Sequence, residues 1–216
     1  MAPNGVDIDL FQTKFKDFEI KCLRENLGIK DEYVILTTSR LVHKNGVDIL
    51  IKAIAKLKEI RPNIKLLIIG DGMELNKLKV QSQKLKVDNN ILFLGQIIQR
   101  DLPIYFRVAD VFARASRSEG LGNSFLEAMA AGVPVIGTPV GGIVDFLING
   151  HTGLLADPED PDSLAEKIGY VLGHQDIRNN VIKNGLALVE KHYSWDIVAQ
   201  KMDRIFKLLC HSKPPM

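Results

Sequence analysis

Cysteine is scarce: Cys22 and Cys210 stand near opposite ends of the 216-residue chain. That excludes a disulfide framework and a CxxC site, and a reducing, cytoplasmic compartment is the expectation. Long apolar runs are missing too. YVIL and LLIIG fall far short of the roughly 20 residues of a membrane span. The start, MAPNGVDIDL, lacks the basic region and apolar run of a signal peptide. Charge of one sign is not in excess: 28 Lys+Arg against 26 Asp+Glu leave +2, which gives no general case for nucleic acid. There is no GxxxxGK[ST], so a P-loop nucleotidase is excluded, and GDGMEL lacks the third glycine of a dinucleotide fingerprint. The five histidines, His43, His151, His174, His192 and His211, show no metal-ligand spacing.

What is present is an ordinary globular composition, 46% apolar and 25% charged. The length suits one large domain with appendages. Short β-branched runs predict strands at Tyr33–Thr38, Lys65–Ile69, Ile91–Leu94, Asp110–Ala113, Val133–Ile136 and Gly153–Leu155. They are apolar at successive positions, as strands buried on both faces are. Between them lie helical stripes over Val47–Ile60, Leu75–Leu85, Leu102–Val108, Phe125–Ala131 and Leu164–Leu172. The alternation predicts an α/β fold: a doubly wound, mainly parallel, six-stranded Rossmann-like sheet with helices on both faces. A turn at PNGVD and a short helix at Glu19–Leu27 precede it. A final helix carries the stripe Trp195, Val198, Met202, Ile205 and Leu209. The expected division is a linker and lead-in helix over 1–32, a Rossmann-like domain over 33–192, and a terminal helix and tail over 193–216.

Ligands of such sheets bind outside the carboxyl ends of the strands. After the first strand, SRLVHKNG places Arg40 and Lys44 beside a helix start, a pairing suited to phosphate. After the fourth strand, SEGLGNSFLEA carries Gly120, Gly122, Glu119 and Glu127. The glycines permit close backbone approach, and either carboxylate can accept from sugar hydroxyls. Ser124-x-x-Glu127 also has the form of a capping box, which would explain Glu127 without any ligand. Glu119 has no evident structural task. Gly141 and Gly142 open a helix after the fifth strand, a second close-approach loop. Asp160-Pro161-Asp162 has a DxD form but sits at a helix start, where Asp162 reads as an N-cap.

These pieces together resemble the carboxyl-terminal, donor-binding domain of a group 1 retaining glycosyltransferase of GT-B architecture. The fragments SRLVHKNGVDILI, LLIIGDGMELNKL, FLGQI and ADVFARASRSEGLGNSFLEAMAAGVPVIGTPVGGIVDFLINGHTGLLADPEDPDSLAEKI occur in the family's order. The resemblance implies that Arg40 and Lys44 hold the donor diphosphate. It gives Glu119 the sugar hydroxyls, Glu127 the ribose, and Ile97 the base through its main chain. Backbone amides of Leu121, Gly122, Asn123 and Ser124 would meet sugar and phosphate. Similar enzymes carry a lysine directly before the glycine, where this chain has Asn45. Positions 123 and 124, often apolar in relatives, are Asn123 and Ser124.

The implied reaction is sugar transfer from a nucleotide diphosphate sugar, a UDP or GDP sugar being expected, with retention. It needs neither metal nor cofactor, because Arg40, Lys44 and a helix N-terminus stabilise the leaving diphosphate. In such enzymes PNGVD is the interdomain junction. The expectation is therefore that an amino-terminal acceptor domain is absent and that the chain alone is inactive. Any peripheral membrane association would then come through that missing domain. The alternatives are a non-catalytic nucleotide-sugar-binding module and a GT-B-like sugar-nucleotide epimerase.

Overall fold

A computed structural model describes residues 4–211. Pro3 and the side chains of Leu209 and Cys210 lie outside the described part. The six expected strands form as β1 Tyr33–Thr38, β2 Ile64–Ile69, β3 Ile91–Gly95, β4 Val111–Ala113, β5 Val135–Gly137 and β6 Leu154–Leu155. They make one sheet, parallel throughout, in the order β3-β2-β1-β4-β5-β6. Its helices are α1 Ile8–Phe11, α2 Asp17–Asn26, α3 Val47–Ile60, α4 Leu75–Lys84, α5 Leu102–Val108, α6 Asn123–Ala130, α7 Pro161–Gly173, α8 Gln175–His192 and α9 Trp195–His211.

Successive strand side chains point to opposite faces, so two cores result. Ile35, Leu66, Ile68, Val111, Ala113 and Ile136 face α3, α4 and α7. Val34, Leu36, Leu67, Phe112 and Val135 face α1, α2, α5, α6 and α8. In α3 the expected stripe is buried, and Ile49 and Ala53 join it. The second core contains a continuous row of rings: Phe11, Phe106, Phe112, Phe125, Phe146 and Tyr193, with successive centroids 5.2–6.2 Å apart. Such pairs add about 0.5–1.5 kcal/mol each beyond area burial. The row joins α1, α5, β4, α6, the loop before β6 and the end of α8.

Two local readings change. The described part of PNGVD, residues 4–7, makes no turn: Val6 bridges Ser194 and donates its N–H to the Tyr193 carbonyl at 2.7 Å. α1 follows at once, capped by the Asp7 side chain. The 18-residue α8 has no counterpart in the predicted helices. Only Val181, Gly185 and Val189 are buried along it, a stripe too thin to register, and Asn184-Gly185 imitates a turn. A Cβ on Gly185 would lie 3.2 Å from Met129 of α6, so this glycine admits close helix packing. Along α9, Val198 is buried, whereas Trp195, Met202, Ile205, Phe206 and Leu208 are exposed.

Candidate functional site

In this strand order the chain reverses direction between β1 and β4, and ligands collect at such a switch point. A cleft of about 590 Å3 opens there, over the carboxyl ends of β1 to β4. All nine residues to which the resemblance gives ligand roles line it: Arg40, Lys44, Ile97, Glu119, Leu121, Gly122, Asn123, Ser124 and Glu127.

The cationic wall is built by the loop after β1. A short 3-10 turn, His43–Asn45, leads through Gly46, with φ 66°, into α3. A Cβ on Gly46 would run into the Ala115 carbonyl, so only glycine lets the loops after β1 and β4 meet. The backbone N–H of Arg117 then donates to the Lys44 carbonyl at 2.7 Å. Arg40 and Lys44 are exposed, and their side chains have no partner among the described residues. Two uncommitted cations on a rigid loop are free to meet an anion.

The opposite wall is the start of α6. Gly122, with φ 74°, occupies the N-cap position without a side-chain bond, so the helix begins at Asn123. The backbone N–H groups of Leu121, Gly122, Asn123 and Ser124 have no acceptor among the described residues. They form the positive end of a helix facing the cleft.

This geometry removes the capping box. Ser124 lies inside the helix, and its Oγ accepts from Arg114 Nη1 at 2.9 Å. Glu127 therefore reaches back to no cap, and its carboxyl has no hydrogen-bond partner among the described residues. Burial pushes its pKa up to about 7, with Arg114 pulling the other way. Such an unpaired, half-buried carboxyl in a cleft marks a candidate binding group.

Glu119, expected to have no structural task, has one. Its Oε2 accepts from Arg114 Nη2 at 2.6 Å and from Ser116 Oγ at 3.2 Å. Oε1 has no partner among the described residues. Gly141 and Gly142 differ from expectation: a Cβ on either would run into the carbonyls of Glu119 and Gly120, and neither lines the cleft, whereas a Cβ on Gly120 would meet open space. Gly141 and Gly142 open a 3-10 turn, Gly141–Asp145, in place of an α-helix.

Arg114 is the residue that sequence reasoning passed over. An arginine closing the apolar strand Val111-Phe112-Ala113 was the available signal. Besides Ser124 and Glu119, its Nη2 donates to Asn45 Oδ1 at 2.8 Å. A cation at position 45 would abut the guanidinium, whereas the Asn45 amide oxygen accepts from it. Among the described residues, the buried side-chain atoms without a partner are Thr37 Oγ1, Ser39 Oγ and Arg114 Nε. Ser39 and Arg114 line the cleft.

The DxD residues lie elsewhere. Asp160, not Asp162, caps α7, accepting from Asp162 and Ser163 N–H at 2.8 and 3.1 Å. Asp162 pairs with Lys56 at 2.5 Å. Asp160 is the cap because Pro161 takes the first helical position, two places earlier than expected. Among the described residues no group of three His, Cys, Asp or Glu is placed to hold a metal ion. No described helix is long and apolar enough to cross a membrane.

Residues 19–187 match the family model of glycosyl transferases group 1. An uncharacterised glycosyltransferase of Methanocaldococcus jannaschii is 34% identical over 95% of this chain and 53% of its own length. A GDP-mannose-dependent phosphatidylinositol monomannoside mannosyltransferase of Mycolicibacterium smegmatis is 36% identical over 79% of this chain and 46% of its own. The chain thus spans about half the length of these relatives. Among solved structures, Anabaena HepE in complex with UDP and glucose superposes with a TM-score of 0.88 at 27% identity, over 95% of this chain and 56% of that one. The carboxyl-terminal domain of a group 1 glycosyl transferase from Francisella tularensis is covered completely. There the TM-score is 0.77, with 25% identity over 88% of this chain. With its Rossmann-like half of a GT-B fold, this chain belongs to the group 1 glycosyltransferase family and corresponds to the carboxyl-terminal domain of its members.

Proposed function

We propose that the chain is the donor-binding half of a retaining glycosyltransferase, taking a UDP or GDP sugar without a metal ion. One observation carries the reading. A single cleft at the switch point gathers two uncommitted cations, four uncommitted backbone N–H groups, and two carboxylates in unlike surroundings. In this reading Arg40 and Lys44 hold the diphosphate. The first turn of α6 meets the distal phosphate and the sugar. Together they stabilise the negative charge that grows on the leaving diphosphate, the task a metal performs elsewhere. Glu119 accepts from sugar hydroxyls through Oε1, Glu127 binds the ribose, and the Ile97 main chain meets the base. HepE, solved with UDP and glucose, and the GDP-mannose-dependent relatives support a nucleotide sugar as ligand.

Transfer also needs a placed acceptor and exclusion of water. Neither is supplied by this open cleft, so the isolated chain binds donor and transfers negligibly. The acceptor half lies outside it, as would any peripheral membrane contact, and the enzyme works in the cytoplasm. Product analysis tests this with the chain alone and with a matching amino-terminal domain added. Sugar transferred with retained anomeric configuration, only when both are present, is the expected result. Robust transfer by the lone chain overturns the division of labour. An epimerised donor would indicate an epimerase, and binding without turnover in either sample a non-catalytic module.

A further inference from the structure

We propose that Arg114 is a positioning residue of the donor site, holding three ligand-bearing parts of its two loops in register. The inference rests on the donor-site reading above. Arg114 leaves the carboxyl end of β4 and is only 7% exposed. Nη1 holds Ser124 in the first turn of α6. Nη2 holds Glu119 through Oε2, which leaves Oε1 toward the cleft. Nη2 also holds Asn45, whose Nδ2 in turn donates to the Arg40 carbonyl at 2.6 Å. One guanidinium therefore links the cationic loop, the sugar-facing carboxylate and the amide-rich helix start.

The fold alone does not call for this group. β4 above it is wholly apolar and buried, and an apolar side chain at 114 would continue that core. Burying the charge carries a cost. Desolvation pulls the guanidinium below its usual pKa, and Nε is left without a partner. Replacing a whole buried ion pair by apolar groups is often neutral, whereas removing Arg114 alone strands the buried Glu119 carboxylate and lowers stability as well. What the network provides is a fixed arrangement of the cleft.

The test is calorimetry of the full chain and of Arg114→Leu, Arg114→Lys and Asn45→Ala. The probes are uridine, guanosine, UDP, GDP, UDP-glucose and GDP-mannose. Arg114→Leu should keep nucleoside affinity within about twofold and weaken the nucleotide sugar about tenfold or more, as loss of oriented charge-assisted contacts implies. Arg114→Lys, which retains a cation for Glu119, should recover part of that loss. Asn45→Ala should weaken the diphosphates more than the nucleosides, and it decides the matter if Arg114→Leu does not fold. Equal losses across all probes, no losses, or no recovery in Arg114→Lys overturns the positioning role. A parent chain that binds none of the probes overturns the donor-site reading and this inference with it. A parent that binds, with variants that match it, overturns this inference alone.

Discussion

Arg114 and Arg117 stand three residues apart in one loop, and each faces two carboxylates. Arg117 lies outside the cleft and is fully engaged. Its Nη atoms meet both Asp48 oxygens at 2.7 and 2.8 Å, the His43 carbonyl at 2.7 Å and Glu159 at 3.1 Å. Its pKa is raised, chiefly by the bond to Asp48. Burial works to raise the Asp48 pKa, but the Arg117 bonds overcome it and the net shift is downward. Around Arg114 the balance is reversed: burial dominates, Glu119 is paired, and Glu127 is left without a partner. A satisfied cluster of this kind clamps loops together. An unsatisfied one in a cleft is prepared for a ligand, at some cost in stability.

The largest effect expected is on the clamp. Arg117→Leu leaves Asp48 half-buried and unpaired, so denaturant unfolding should show a loss of about 2–3 kcal/mol. Nucleotide affinity should change little. A large affinity loss with unchanged stability would reverse the contrast between the two arginines. On the cleft side, Arg40→Ala should cost about 2 kcal/mol, roughly thirtyfold, in UDP or GDP affinity. Nucleoside binding and unfolding should stay as in the parent.

Glu127 sharpens the comparison, because its two readings differ in sign. Its folded pKa of about 7 stands above the usual 4.5, so the folded state holds the extra proton between those values. Stability from this group therefore falls as pH rises from about 4.5 to about 7, and the full cost persists above. Glu127→Gln should be more stable than the parent by about 2–3 kcal/mol at pH 8 and equal to it near pH 4. The same variant should bind nucleosides and nucleotides about five- to thirtyfold more weakly at pH 8. Matching unfolding curves at both pH values, with unchanged affinity, would return Glu127 to a purely structural role. Smallest of all, Lys44→Ala should weaken diphosphate binding about two- to fivefold, since a lysine offers a mobile point charge where arginine offers a fork.

The sheet was legible because buried parallel strands are short continuous apolar runs, and six of these stand clear in the sequence. α8 was not, since one thin stripe and an Asn-Gly pair conceal a helix that packs at a single narrow line. The aromatic row was equally hidden: its six rings come from six separated segments and meet only through topology. At the site, the loops after β1 and β4 could be read from strand order and glycine placement. The pairing within them could not. Ser124 and Glu127 fit a capping box by spacing, and only the left-handed Gly122 and the reach of Arg114 reassign both. The structural task of Glu119 is hidden in the sequence because its partner, Arg114, lies on the strand end, five residues before it.

The central claim is that this cleft binds a nucleotide sugar through protein cations and amides alone. Calorimetry of the parent chain with a chelator present, against UDP, GDP, UDP-glucose and GDP-mannose, tests it most directly. The account predicts binding of one base series in chelator, weakened by added salt and by Arg40→Ala. Absence of binding to all four ligands, or binding that appears only with magnesium or manganese, would contradict it.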